Sequence, residues 1–92
     1  MKRIFELCAG RHCTPAEASI FQETLNPLEI EELHRIADAA IPTDTTELVV
    51  YVTGLTVAML SVVRVCLERG ISLTAMHYDR ESGNYYPQLV VG

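Results

Sequence analysis

Three short segments of this 92-residue chain carry most of the side chains that could do chemistry: Gly10-Arg11-His12, Thr53-Gly54-Leu55-Thr56 and His77-Tyr78-Asp79-Arg80. Arg11 and Arg80 can make charge-assisted hydrogen bonds to one phosphate. Histidine is the side-chain type suited to general-base work near neutral pH, which makes His12 and His77 candidates, with Asp79 beside His77 as a third candidate catalytic group. The middle segment stands where a helix is expected to begin. A helix N-terminus offers unpaired N–H groups and a partial positive charge, which favour an anion by roughly 0.3–1 kcal/mol, up to ~2 when partly buried. It is not a P-loop, because it lacks the second glycine and the Gly-Lys-Ser/Thr ending. Gly10, Arg11, Thr53, Gly54, Leu55, Thr56 and Arg80 are therefore the candidate ligand-binding set, and His77, Asp79 and His12 the candidate catalytic set. Each member also has a plainer use: a lone glycine marks a turn, aspartate is a common turn former, and Arg80 can simply be solvated. Only convergence on one spot makes the set a site.

The elements that must produce that convergence follow from pattern. Residues 3–8 alternate around Ile4, Phe5 and Leu7 and read as a first strand, ending in a loop with Gly10. Thr14-Pro15-Ala16-Glu17 has the grammar of a helix start, with Thr at N-cap, Pro at N1 and Glu at N3, and predicts a short helix ending near Glu23. Asn26-Pro27-Leu28-Glu29 repeats it, and apolar residues from Leu28 to Ala40 recur at three- and four-residue spacing, predicting an acidic amphipathic helix over 27–40. Residues 48–52 are a continuous β-branched and aromatic run, as for a strand covered on both faces. Gly54 breaks the run, Thr56 offers an N-cap, and 57–69 follow as a helix apolar almost all round, with Gly70 after it. Residues 71–77 form a strand, 79–83 a turn and 85–91 a returning hairpin strand, where Pro87 suits an edge because it cannot donate to a ladder. Strand, helix, strand with tight connections is a βαβ unit with parallel strands, and the first strand pairs most naturally beside 48–52. The expected fold is α/β, a small sandwich with a mixed sheet of about four strands, a βαβ unit and a C-terminal hairpin, in a single domain over 1–92. Such sheets bind ligands beyond the carboxyl ends of their parallel strands, where all three segments then fall.

Composition narrows the partners. With 7 Lys+Arg against 12 Asp+Glu the net charge is −5, which argues against a grip on long nucleic acid. The uncharged stretch 48–63 is shorter than the ~20 residues of a membrane helix, and no signal peptide opens the chain. The expectation is a cytoplasmic protein. Three cysteines imply no disulfide framework. Cys8, His12 and Cys13 with a distant His34 match no standard zinc spacing, and Cys66 reads as a buried small hydrophobe. One of Tyr85 and Tyr86 should face the core and the other solvent, a partner or a base.

Residues 49–52, Thr53-Gly54-Leu55-Thr56, the apolar crossover helix and the hairpin Met76-His77-Tyr78-Asp79-Arg80-Glu81-Ser82-Gly83-Asn84-Tyr85-Tyr86 resemble small CRISPR-associated proteins of type III systems. The resemblance covers 48–91, about half the chain. It implies a compact Rossmann-like homodimer that binds a cyclic oligoadenylate second messenger, cyclic tetra-adenylate foremost, with no further cofactor. It also implies that Gly54 and Thr56 cradle a phosphate while Asp79 and Arg80 line the site. One group places a histidine near the end of the crossover helix, where this chain has Cys66-Leu67-Glu68-Arg69, and its glycine turn is richer. The expected function is to down-regulate type III CRISPR signalling by sequestering the messenger, or by cleaving it as a ring nuclease. A different reading of the same chain is a non-enzymatic module that docks a basic partner through helix 27–40.

Overall fold

The computed structural model describes residues 1–10, 14–22 and 25–92. In chain order the elements are β1 (Lys2–Cys8), β2 (Ala18–Phe21), α1 (Ile30–Ala40), β3 (Glu47–Tyr51), α2 (Thr56–Arg69), β4 (Ser72–Asp79) and β5 (Asn84–Val91). The sheet has five strands in the order β2-β1-β3-β4-β5, one more than the sequence predicts. The first four are mutually parallel, and β5 pairs antiparallel with β4 as the hairpin edge.

Alternation along the strands decides which face is covered. Phe5 and Leu7 of β1, Leu48 and Val50 of β3, and Leu73 and Ala75 of β4 are all buried. Register places Leu48 opposite Leu73 and Val50 opposite both Phe5 and Ala75, so they share one face. Leu33 and Ala37 of α1 and Ala58, Val62, Val65 and Cys66 of α2 join the same core. The residues between them, Val49, Tyr51, Thr74 and Met76, are only half-buried. The β-branched run is thus covered by helices on one face, not on both, and the fold is a two-layer α/β sandwich.

The extra strand replaces the predicted helix over 14–23. Ile20 and Phe21 are adjacent, and both are buried. A helix turns neighbours 100° apart, whereas an edge strand can bury one on each side. The Thr14 hydroxyl, expected to cap, instead donates to Glu6 at 3.1 Å, and Ser19 donates to the other oxygen of that carboxylate at 2.5 Å. The second helix starts three residues late. Asn26 caps a turn, accepting from the Leu28 N–H at 3.0 Å, and the helix begins only at Ile30.

The two helices are tied by two ion pairs, Arg64 with Glu31 at 3.2 Å and Arg69 with Asp38 at 3.4 Å, and by a hydrogen bond between His34 Nε2 and Glu68 at 2.7 Å. Arg69 also donates to the carbonyls of Ile41 at 3.1 Å and Pro42 at 2.6 Å, satisfying acceptors left open where α1 ends. Gly70 closes α2 in the left-handed region at φ 67°.

Cys66 sits within this core, and burial pushes its thiol up to about 11. The nucleophile is the thiolate, so Cys66 is expected to stay unlabelled by iodoacetamide at pH 8 in the folded protein. Labelling should appear only with denaturant, followed residue by residue by mass spectrometry.

Candidate functional site at the carboxyl edge of the sheet

Because β1, β3 and β4 are parallel, their carboxyl ends lie along one edge. The turn at Ala9-Gly10 leaves β1, Thr53-Gly54-Leu55 leaves β3, and the hairpin tip after Asp79 leaves β4. From β1 the chain goes to β2 on one side of the sheet, and from β3 it goes to β4 on the other. Where neighbouring strands send their chains in opposite directions, the connections part and leave a crevice. Gly10, Gly54, Leu55, Thr56, His77, Asp79 and Arg80 all belong to this edge. Arg11, His12 and Cys13 lie outside the described residues.

Thr53 has a different use from the one its sequence position suggests. It is 2% exposed, and its hydroxyl accepts from the Cys8 N–H at 3.2 Å and donates to the Cys8 carbonyl at 3.0 Å. The hydroxyl therefore ties the carboxyl end of β1 to that of β3, under the crevice. Gly54, at φ 132°, then takes a backbone angle that side chains disfavour.

Leu55, not Thr56, is the N-cap of α2, in extended conformation and without a side-chain cap. The Leu55 carbonyl accepts from Ala58 at 3.1 Å and Met59 at 3.2 Å. No acidic residue stands in the first turn of α2, whereas Glu31 and Glu32 occupy that of α1. The positive end of the α2 dipole is thus left without a carboxylate of its own.

His77 shares the helix-side face of β4 with Leu73 and Ala75. Its Nε2 meets Gln88 Oε1 at 2.8 Å, and its ring lies 5.4 Å from that of Tyr86. With Nε2 as the donor in that bond, Nδ1 keeps the lone pair a general base needs. Asp79 has been taken up by the turn: its carboxylate accepts from the Glu81 N–H at 3.2 Å and the Ser82 N–H at 3.4 Å. Hydrogen bonding to Ser82 and to the Glu81 amide lowers its pKa below the usual aspartate value. A depressed carboxylate stabilises above its unfolded pKa, and that contribution is lost as pH falls through the folded pKa. Acidification below the ordinary aspartate range is therefore expected to loosen the hairpin tip, seen as coupled shifts of the Glu81 and Ser82 amides by NMR; pH-independent amides would contradict it. Arg80 beside it is exposed and pairs with no carboxylate among the described residues.

On the open face the ring of Tyr85 lies edge-on to Tyr51, centroids 4.8 Å apart, and 5.3 Å from Tyr78. Tyr85 is half-buried there, and Tyr86 is exposed on the helix side. Neither is a core residue, because the open face has no helix to bury the inward ring. Tyr51 and Gln88 are not among the sequence candidates; Gln88 lies opposite Ala75 in the hairpin and Tyr51 opposite Met76 across β3 and β4.

Of the residues weighed for metal, Cys8 is buried at the end of β1 and His34 is paired with Glu68 on the helical layer. Among the described residues no group of three His, Cys, Asp or Glu could hold a metal ion, and no helix is long and apolar enough to cross a membrane. Compared with known proteins, the chain matches no family model, no curated protein and no solved structure.

Proposed function

We propose that this protein is a homodimeric, Rossmann-like binder of a cyclic oligoadenylate, cyclic tetra-adenylate foremost, that lowers type III CRISPR signalling by sequestering or cleaving the messenger. One observation carries the reading. The uncapped, carboxylate-free start of α2 stands in the crevice between β1 and β3, on the same edge as Arg80, which pairs with no carboxylate among the described residues. Backbone donors at Gly54, Leu55 and Thr56 and the Arg80 guanidinium favour phosphate oxygens there, and Gly54 keeps side-chain bulk out of the approach. Thr53 holds the floor of the crevice, and the Asp79 turn holds the hairpin that presents Arg80 and His77.

Ring opening requires little from the protein. The ribose 2′-OH is the nucleophile, attacking phosphorus as the 5′ oxygen leaves, so positioning and charge stabilisation do most of the work. His77 Nδ1, with Nε2 held by Gln88, is the atom placed to take the 2′-OH proton. The competing use of α1 to dock a basic partner is weakened by its chemistry: Glu31, Glu32 and Asp38 already meet Arg64, Arg35 and Arg69.

The test is a thermal shift. Cyclic tetra-adenylate should raise Tm in proportion to the logarithm of its concentration, and Arg80→Ala should weaken the apparent affinity about tenfold, the ~1.4 kcal/mol of one charge-assisted contact. Chromatography of the incubated ligand separates the two modes: linear fragments with a cyclic phosphate end mark a ring nuclease, and an intact ring marks a sink. An unmoved Tm would remove the proposal.

A further inference from the structure

The helix-side face of the hairpin carries two side chains to which the reading above gives no contact with a ligand. Tyr86 pairs with His77 across β4 and β5, and Gln88 stands two residues further along β5, on the same face. Both are exposed, Tyr86 at 52%, so this stretch of β5 is a ledge that α2 does not cover. The Tyr86 ring lies 5.4 Å from the His77 imidazole and is tilted 37° to it, and half of the residue still meets solvent, which leaves phenol surface for a flat ring. Gln88 Oε1 accepts from His77 Nε2 at 2.8 Å. That bond uses one lone pair of the amide oxygen; the second lone pair and the two Nε2 hydrogens remain.

We propose that Tyr86 and Gln88, with the His77 imidazole behind them, form an adenine-reading subsite: Tyr86 stacks on the base and the Gln88 amide reads its amino edge. The subsite rests on the reading above for where the ligand's phosphate lies, and on its own geometry for the base.

The amide supplies the choice of base. Any base gains from stacking on an exposed aromatic ring, so Tyr86 alone gives affinity without selection. Adenine presents a donor, N6–H, beside an acceptor, N7, and a glutamine amide meets both at once through its oxygen and its nitrogen. Guanine presents two acceptors, O6 and N7, so the Gln88 oxygen would face another acceptor. With His77 Nε2–H as the donor, turning the amide over would set donor against donor, so the imidazole holds Gln88 in the orientation that suits adenine.

Position joins the ledge to the phosphate donors. The start of α2 belongs to the helical layer, so a ligand held at Gly54, Leu55 and Thr56 lies on the helix side of the sheet edge, the side that Tyr86 and Gln88 share. β3, which leads into that turn, and β5 are two strand spacings apart, about 10 Å. One nucleotide covers that span. The cluster of Tyr51, Tyr78 and Tyr85 is on the opposite face of the sheet, away from those donors.

Nuclear magnetic resonance titrations of AMP and GMP into the wild-type protein, with cyclic tetra-adenylate titrated alongside, test this. The Tyr86 ring protons should shift with both nucleotides, and AMP should bind about tenfold more tightly than GMP. Tyr86→Ala should weaken both nucleotides alike by about tenfold, and Tyr86→Trp should keep both. Gln88→Leu should bring AMP down to the level of GMP, a change of ratio that a merely structural role for Gln88 would not produce. Both residues are exposed on the hairpin, so circular dichroism should show the variants folded, and the AMP-to-GMP ratio of the wild type needs no variant at all. Cyclic tetra-adenylate that binds folded Tyr86→Ala and Gln88→Leu as tightly as wild type would overturn the subsite and leave the phosphate reading standing. Selective AMP binding at Tyr86 with no binding of cyclic tetra-adenylate would uphold the subsite and overturn that reading. Equal affinity for AMP and GMP, or no shift of the Tyr86 ring with either, would overturn the adenine assignment.

Discussion

Thr53→Val is expected to lower stability by about 2–4 kcal/mol and to abolish measurable ligand binding at the carboxyl edge. Valine keeps the shape but removes the one hydroxyl that both donates to and accepts from the Cys8 backbone at 3.0 and 3.2 Å. Taking a partner away from a buried backbone group costs about 1–3 kcal/mol, and here two such groups lose one. The seam between β1 and β3 is also the floor of the crevice, so its opening moves Gly10 and Gly54 apart. Thr53→Ser, which keeps the hydroxyl, should recover most of both losses. Urea unfolding and a ligand titration on the same three proteins check the two effects together. A Thr53→Val protein as stable as wild type would mean that the seam is held by other contacts.

Leu48→Ala should be costlier still, at about 3–5 kcal/mol. Leu48 is 0% exposed, in the strand flanked by β1 and β4, facing the helices beside Leu73. Leu→Ala substitutions at such sites lose both transfer energy and packing around the cavity that remains. A 92-residue domain is stable by roughly 5–14 kcal/mol at ~0.05–0.15 kcal/mol per residue, so this one change removes a large part of the total. The urea midpoint should fall with an unchanged slope. Leu48→Ala within 1 kcal/mol of wild type would contradict the core described above.

Much of the second half was legible in the sequence because glycine and proline punctuate it. Gly54 ends the β3 run, Gly70 ends α2 and Pro87 marks an edge, and each does so in the structure. The segment 14–23 misled for a physical reason. Thr14-Pro15-Ala16-Glu17 states a helix start, but no apolar stripe follows it, and tertiary burial of Ile20 and Phe21 beside β1 decides the outcome. The same limit affects the site. The strand pattern put Gly10, the Thr53 turn and the hairpin after β4 at the carboxyl ends of the parallel strands, where they lie in the structure. It could not show that Thr53 spends its hydroxyl on Cys8 or that Asp79 spends its carboxylate on the Glu81 and Ser82 amides, because both partners depend on folded geometry. Nor could the β-branched run at 48–52 reveal that only one face is covered, since burial of alternate residues depends on where both helices pack.

The most direct test of the central claim is isothermal calorimetry of the wild-type protein with cyclic tetra-adenylate at low ionic strength. The expected result is a saturable heat with one ring bound per two chains, weakened by salt and by Arg80→Ala. A flat titration at ring concentrations well above 100 μM would show that this edge is not a cyclic oligoadenylate site.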